Sequence, residues 1–153
     1  MTLVEVLVAL MVLSIGLLGI AGLQLNSLRA NTVSYWQSQA TWFAYDMSDR
    51  IRANSTGAGM GYYDALDSAG ATDQGCITSA AGCAGTALAA QDAYEWGLKL
   101  SSLPSGQGMV RASGTDQLIV TVLWDDQRTG ATGTGCDPTD PNDLTCFSVT
   151  VRK

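Results

Sequence analysis

From Val6 to Leu25 the chain runs through 20 residues of which only Ser14 and Gln24 are polar. At about 1.5 Å per residue, a helix of that length spans about 30 Å, the thickness of a bilayer's hydrocarbon core. The pattern predicts a membrane span. A secretory signal peptide is the rival reading, but it needs a basic first region, a shorter apolar stretch and a small-residue cleavage site. No Lys or Arg precedes Val6, so an uncleaved or already processed anchor is expected.

Beyond Arg29 the period changes. Val33, Trp36, Ala40, Phe43, Ala44, Met47 and Ile51 recur at steps of three and four, which draws one apolar stripe along a helix. Ser34, Gln37, Ser38, Asp46, Ser48, Asp49, Arg50 and Arg52 supply a wettable opposite face. The first proline is Pro104, so no residue forces a break. Arg50 and Arg52 suit a helix C-terminus, and Asn54-Ser55-Thr56-Gly57 reads as the stop. One continuous rod is predicted from the amino terminus to about residue 53, roughly 80 Å long. Gly16, Gly19 and Gly22 each cost the helix about 1 kcal/mol relative to Ala. They suit close helix contact, and equally a segment that stretches or unwinds when the helix changes surroundings.

Residues 55–85 are rich in Gly, Ala, Ser, Thr and Asp without clear period, and a loop is predicted. A short helix follows, with Thr86 as its cap, Leu88, Trp96, Leu100 and Leu103 on one side and Pro104-Ser105-Gly106 as its end. Residues 108–113 read as a strand. Residues 117–124 form a near-continuous apolar strand suited to the middle of a sheet. Phe147, Val149 and Val151 alternate with polar residues in a last strand with one buried face. The simplest layout that buries both stripes is an antiparallel sheet of three or four strands packed on the amphipathic half of the rod. That layout is α+β, a long N-terminal helix against a small sheet. Two regions are expected: 1–28, surrounded by lipid or by other such helices, and 29–153, a globular domain that includes the amphipathic half-helix.

Charge and cysteines narrow the chemistry. Eight Lys and Arg stand against 14 Asp and Glu, and there is no basic run, so nucleic acid is not an expected partner. Histidine is absent, which removes Ser-His and Cys-His nucleophile pairs and the commonest transition-metal ligand. No enzyme activity and no cofactor are expected. Cysteines stand at 76, 83, 136 and 146. Four cysteines allow three pairings; the spacing suggests two local bridges, Cys76–Cys83 and Cys136–Cys146, with a four-thiolate zinc site as the alternative. Bridges would place the part after the span in an oxidising compartment.

Thr2-Leu3-Val4-Glu5 followed by an apolar helix resembles the mature amino terminus of type IV pilins and type II secretion pseudopilins. Three further stretches, SIGLLGIAGLQLNSLRA, SQATWFAYDMSDRIRAN and YEWGLKLSSLPSGQG, are similar to the PilV family of minor pilins. The resemblance implies a type IV pilin-like lollipop whose leader is removed by a prepilin peptidase and whose new terminus, here Met1, is N-methylated. It implies that Glu5, with Thr2, serves assembly. The implied partners are other minor pilins, a tip adhesin, the major pilin and the inner-membrane assembly platform. The implied locations are the inner membrane with a periplasmic domain, then the extracellular pilus. The implied role is priming of assembly at or near the tip, in support of twitching motility and adhesion. Pilins usually begin with Phe, and this chain has Met1, as minor pseudopilins of the I type do; that is the alternative. A membrane-anchored periplasmic binding or adhesion domain that never polymerises is the second.

Glu5 is the one charge before Arg29. A charged side chain at a bilayer centre costs roughly 2.5–3.5 kcal/mol or more, and less near the interface. The positive end of its own helix favours an anion there by a few tenths to about 1 kcal/mol. When apolar rods bundle and water leaves, an unpaired carboxylate becomes far costlier. The α-amino group of a staggered neighbour is the cation every subunit can offer. Elsewhere, Asp137, Asp140, Asn142 and Asp143 crowd oxygen ligands between Cys136 and Cys146, a weak Ca²⁺ candidate without EF-hand spacing; turn chemistry explains them as well. Asp125 and Asp126, adjacent at a strand end, suit a turn better than an acid pair. Trp36, Trp42, Trp96 and Trp124 could form a sugar platform, but core packing is the expected role.

Overall fold

The computed structural model describes residues 2–80 and 82–153. Helix α1 runs without interruption over Leu3–Ala53, followed by a one-turn helix α2, Ser55–Gly59, and strand β1, Ala65–Asp67. Helix α3, Gly85–Leu100, leads into β2, Gln107–Ser113, β3, Gln117–Trp124, and β4, Thr145–Arg152. The four strands form one antiparallel sheet in the order β1-β2-β3-β4, the α+β arrangement expected of the pattern. By their contacts the residues divide into two compact units, one ending at Tyr35 and one spanning Trp36–Lys153.

The core belongs to the second unit. Ala40, Phe43, Ala44, Met47 and Ile51 of α1 pack in one cluster with Trp96 and Leu100 of α3 and with Val110, Leu118, Val120, Val122, Trp124 and Val151 of the sheet. Each large side chain so enclosed contributes about 1.5–3 kcal/mol. The Trp96 indole N–H donates to the Phe43 carbonyl at 3.0 Å, so its one polar atom is satisfied inside apolar surroundings. Strand β3 explains its own composition. Its even-numbered residues face the helices, and Leu123 on the other face packs with Ala131 and Leu144 of the long β3–β4 connection. A strand covered on both sides has no need of a polar face.

Several local expectations are corrected. Residues 55–85 are not all loop: Asn54 accepts from the Gly57 N–H at 3.2 Å and caps α2, and β1 pairs Leu66 with Val110. Three residues are too few for a readable alternation. Thr86 does not cap α3; Ala84 precedes the helix without a side-chain cap, and Gly85 makes the entry turn at φ 60°, a conformation glycine adopts at no steric cost. Helix α3 ends at Leu100 rather than Leu103. Ser48 is fully buried instead of wetted, with its hydroxyl donating to the Ala44 carbonyl at 2.8 Å. Trp42 is 71% exposed and Val33 is exposed, whereas Trp96 and Trp124 are core and Trp36 packs at its margin.

A charged clasp joins the end of α1 to α3. Arg50 Nη1 donates to Asp92 Oδ1 at 2.9 Å and Glu95 Oε2 at 2.8 Å, and Lys99 Nζ donates to both oxygens of Asp46 at 2.9 Å. The buried Tyr63 hydroxyl donates to Asp92 Oδ2 at 2.6 Å and accepts from Asn54 Nδ2 at 3.0 Å. Every member of this group has a partner, which is what makes partial burial of the charges tolerable. Disulfides close Cys76–Cys83 and Cys136–Cys146, each worth roughly 2–4 kcal/mol through the unfolded chain it constrains.

Two outcomes follow from this packing. A Cβ at the buried Gly108 would run into the Trp96 ring and come within 2.6 Å of Leu100, so Gly108→Ala should destabilise by about 1–3 kcal/mol. Denaturant unfolding of the full chain measures this, and an unchanged midpoint would contradict the packing.

The second outcome concerns pH. The Arg50 hydrogen bond holds the Glu95 carboxyl below its ordinary value. Burial alone would raise Asp125, but donors from Gly130 and Thr129 bring it below its ordinary value as well. A folded-state value below the unfolded one gives stability that is present above the unfolded value, about 4, and is lost as pH falls through the lower folded value. The unfolding temperature should therefore drop on acidification below about pH 4, less steeply in Glu95→Gln. Equal slopes in the two proteins would remove Glu95 from the account.

Candidate functional site

Helix α1 opens on Thr2, whose carbonyl accepts from the N–H groups of Glu5 at 3.1 Å and Val6 at 3.4 Å. Glu5 thus stands in the first turn, where the unsatisfied N–H groups of the helix start favour an anion. It is exposed, and among the described residues its carboxylate has no ion-pair or hydrogen-bond partner. Met1, the expected methylation site, lies outside the described residues.

From Val6 to Leu25 the helix beyond Glu5 is almost wholly apolar. An 18-residue window of α1 reaches a mean hydropathy of 2.7, and none of it is buried among the described residues. Large side chains from Leu3 through Leu28 are exposed. A Cβ added at Gly16, Gly19 or Gly22 would meet nothing within 4 Å, so no contact among the described residues accounts for the three glycines. Ser14, the polar residue in the middle, bonds back to the Leu10 carbonyl at 2.6 Å and the Met11 carbonyl at 3.0 Å, which hides its hydroxyl from an apolar environment. The segment is long and apolar enough to cross a membrane, and Glu5 at its head is the exception.

The acidic connection before β4 does different work. Asp137 Oδ1 accepts from the Thr139 N–H at 2.8 Å and hydroxyl at 2.7 Å, bonds that hold its carboxyl below the usual value. Asp140 Oδ1 accepts from the Asn142 N–H at 2.9 Å, and Asp143 Oδ2 from the Asp137 N–H at 2.9 Å. These are side-chain-to-backbone turns. Together with Asp125 and Asp126 these aspartates line an open cleft of about 630 Å³. Among the described residues no group of three or more His, Cys, Asp or Glu is arranged to hold a metal ion. Asp125 and Asp126 do not form a pair: Asp125 is buried and turned onto the N–H groups of Thr129 at 3.0 Å and Gly130 at 2.8 Å, anchoring the chain as it leaves β3.

Sequence reasoning missed the Arg50–Asp92–Tyr63 clasp and the anchoring role of Asp125. The clasp had no local signal, since its members stand 29 and 42 positions apart. Asp125 had one, because an acid followed by Thr129-Gly130 fits a side chain reaching forward to close a turn.

The family comparison places the second half of α1 and the following elements in context. Residues 22–94 match a family model described as Tt1218-like, Type IV pilin Tt1218. Curated proteins and solved structures, compared in turn, gave no match. The matched stretch begins within the apolar run and ends inside α3, so the match and the motif around Glu5 are separate observations. Over that stretch, just under half of the chain, the sequence is similar to a type IV pilin family, and the long apolar amino-terminal helix and the antiparallel sheet are compatible with that likeness.

Proposed function

We propose that this chain is a minor pilin of the PilV kind, anchored in the inner membrane and then drawn into type IV pili at or near the tip. There it helps to prime assembly and supports twitching motility and adhesion. Its partners are other minor pilins, a tip adhesin, the major pilin and the assembly platform, and a prepilin peptidase generates its methylated terminus at Met1.

The observation that carries this reading is Glu5, an exposed carboxylate without a described partner at the head of a helix whose large apolar side chains from Leu3 to Leu28 no other described residue covers. In lipid the cost of that carboxylate is moderate, because an interfacial position keeps water within reach. In a bundle of such helices water leaves, and an unpaired carboxylate costs several kcal/mol. The α-amino group of a neighbouring subunit, brought level by an axial stagger, removes the penalty. Only one stagger does so, and the pairing therefore selects register. Met1 in place of the usual Phe favours a second reading, a minor pseudopilin of type II secretion, in which the same pairing operates.

Glu5→Gln and Glu5→Ala should insert into membranes as the parent does and fall at least about tenfold in the sheared fibre fraction, a loss equivalent to about 1.4 kcal/mol of assembly. Quantitative mass spectrometry of membranes and fibres reads both numbers and the state of Met1. Parent-level incorporation of both variants would refute the pairing, and absence of the parent from fibres would favour an anchored domain that does not polymerise.

A further inference from the structure

The two edges of the sheet are built differently. Strand β1 has three residues, and ion pairs surround it, Arg111 with Asp67 at 2.8 Å and Lys153 with Asp64 at 2.6 Å. Strand β4 has eight residues, no proline, and no charge before Arg152 at its end. Short and charged edges resist the addition of another strand; a long uncharged one is a template for it.

The register identifies the open groups. Lys153 N–H donates to the Asp116 carbonyl at 2.9 Å, one position beyond the Gln117–Arg152 pair. Bonded and non-bonded pairs alternate in an antiparallel ladder, so Thr145, Phe147, Val149 and Val151 bond to β3. Cys146, Ser148, Thr150 and Arg152 therefore aim their N–H and C=O groups away from the sheet. The same alternation is met on the opposite side, where Gly108 and Ala112 of β2 bond to Ser68 and Asp64. Among the described residues no backbone or side-chain group bonds to the outward groups of β4.

The chain begins to cover this edge and then stops. Gly133 donates to the Asn142 carbonyl at 2.8 Å and accepts from the Leu144 N–H at 2.9 Å, a single parallel bridge just ahead of β4. The cover goes no further than the head of the strand, where Cys136 is tied to Cys146. Beside the open edge, Phe147 and Val149 are only half-buried, at the margin of the core.

We propose that the outer edge of β4 receives an extended strand from a different polypeptide, about five to seven residues long, with apolar side chains at alternate positions over Phe147 and Val149 and polar ones between. The choice of a different chain rests on the filament reading. Copies stacked in a polar fibre are related by a screw rotation. Pairing β4 with its own copy needs a twofold axis, and screw-related copies could offer only the short, ion-paired β1 edge.

The test uses the full chain in lipid nanodiscs and a synthetic seven-residue peptide of alternating Val and Thr, with backbone hydrogen exchange as readout. Without peptide, the amides of Ser148 and Thr150 should exchange at least about tenfold faster than those of Val149 and Val151. Saturating peptide should abolish that difference. Thr150→Pro deletes one outward N–H and leaves the β3 ladder intact; it should keep Val149 protected and lose the response to peptide. Should that variant unfold, Ser148→Pro puts the same question. No protection at Ser148 and Thr150 under saturating peptide, or an unchanged response in the proline variant, overturns the proposal. Protection that rises with protein concentration alone overturns it too, by giving the edge to a second copy. None of these readings uses fibre assembly, so they stand or fall apart from the Glu5 experiment.

Discussion

The apolar surface of α1 sets the terms for everything else in this protein. A helix that is apolar around its whole circumference has no stable place in water, and no other described residue covers the large side chains from Leu3 to Leu28. Further along the same helix the apolar residues contract to the stripe of Ala40, Phe43, Ala44, Met47 and Ile51, and a sheet and a second helix bury that stripe completely or nearly so. One element thus requires two kinds of cover. The chain supplies the second itself; for the first, the proposed function calls on lipid or other helices.

Glu5 has its meaning only within that constraint. On a soluble helix a first-turn carboxylate is a routine complement to the exposed N–H groups. At the head of a segment that must leave water, the same group makes the choice of neighbour a matter of charge as well as of shape. Apolar contact alone is nearly indifferent to sliding, because hydrocarbon packs against hydrocarbon at many offsets. In the proposed pairing a single charge removes that freedom, in the way one buried polar residue fixes the register of a coiled coil.

What could be read from the sequence was what depends on period. The apolar run, the stripe of α1, the central position of β3 and the alternation Phe147-Val149-Val151 all repeat often enough to show above noise. The elements that were missed are short or are fixed by distant partners. Strand β1 exists because Ala65–Asp67 can bond to β2, and Ser48 is buried because α1 lies against the core there. Trp42 has the same residue type as Trp96 and the opposite exposure; the difference is about 100° of helix rotation relative to the stripe. The disulfide pairs were suggested by spacing alone. The cluster Asp137-Asp140-Asn142-Asp143 was ambiguous in one dimension, since oxygen-rich side chains serve turns and cations alike, and only their partners distinguish the two.

Those partners also show how the long β3–β4 connection acquires a shape without secondary structure of its own. Asp125 grips the chain as it departs, accepting from Thr129 and Gly130. Asp143 grips it as it returns, and its carboxylate lies so close over Gly133 and Gly135 that a Cβ at either position would collide with it. Between these points the chain drops Ala131 and Leu144 onto Leu123, and the Cys136–Cys146 bridge holds the result against the head of β4. A connection of that length ordinarily runs loosely over the surface. Here aspartates, glycines and a disulfide convert it into the outer layer of the sheet, so β3 is enclosed on both faces while the far edge of β4 is left open. The asymmetry is a consequence of where the connection meets the edge: its bridge, between Gly133 and Asp143, lies before the strand begins.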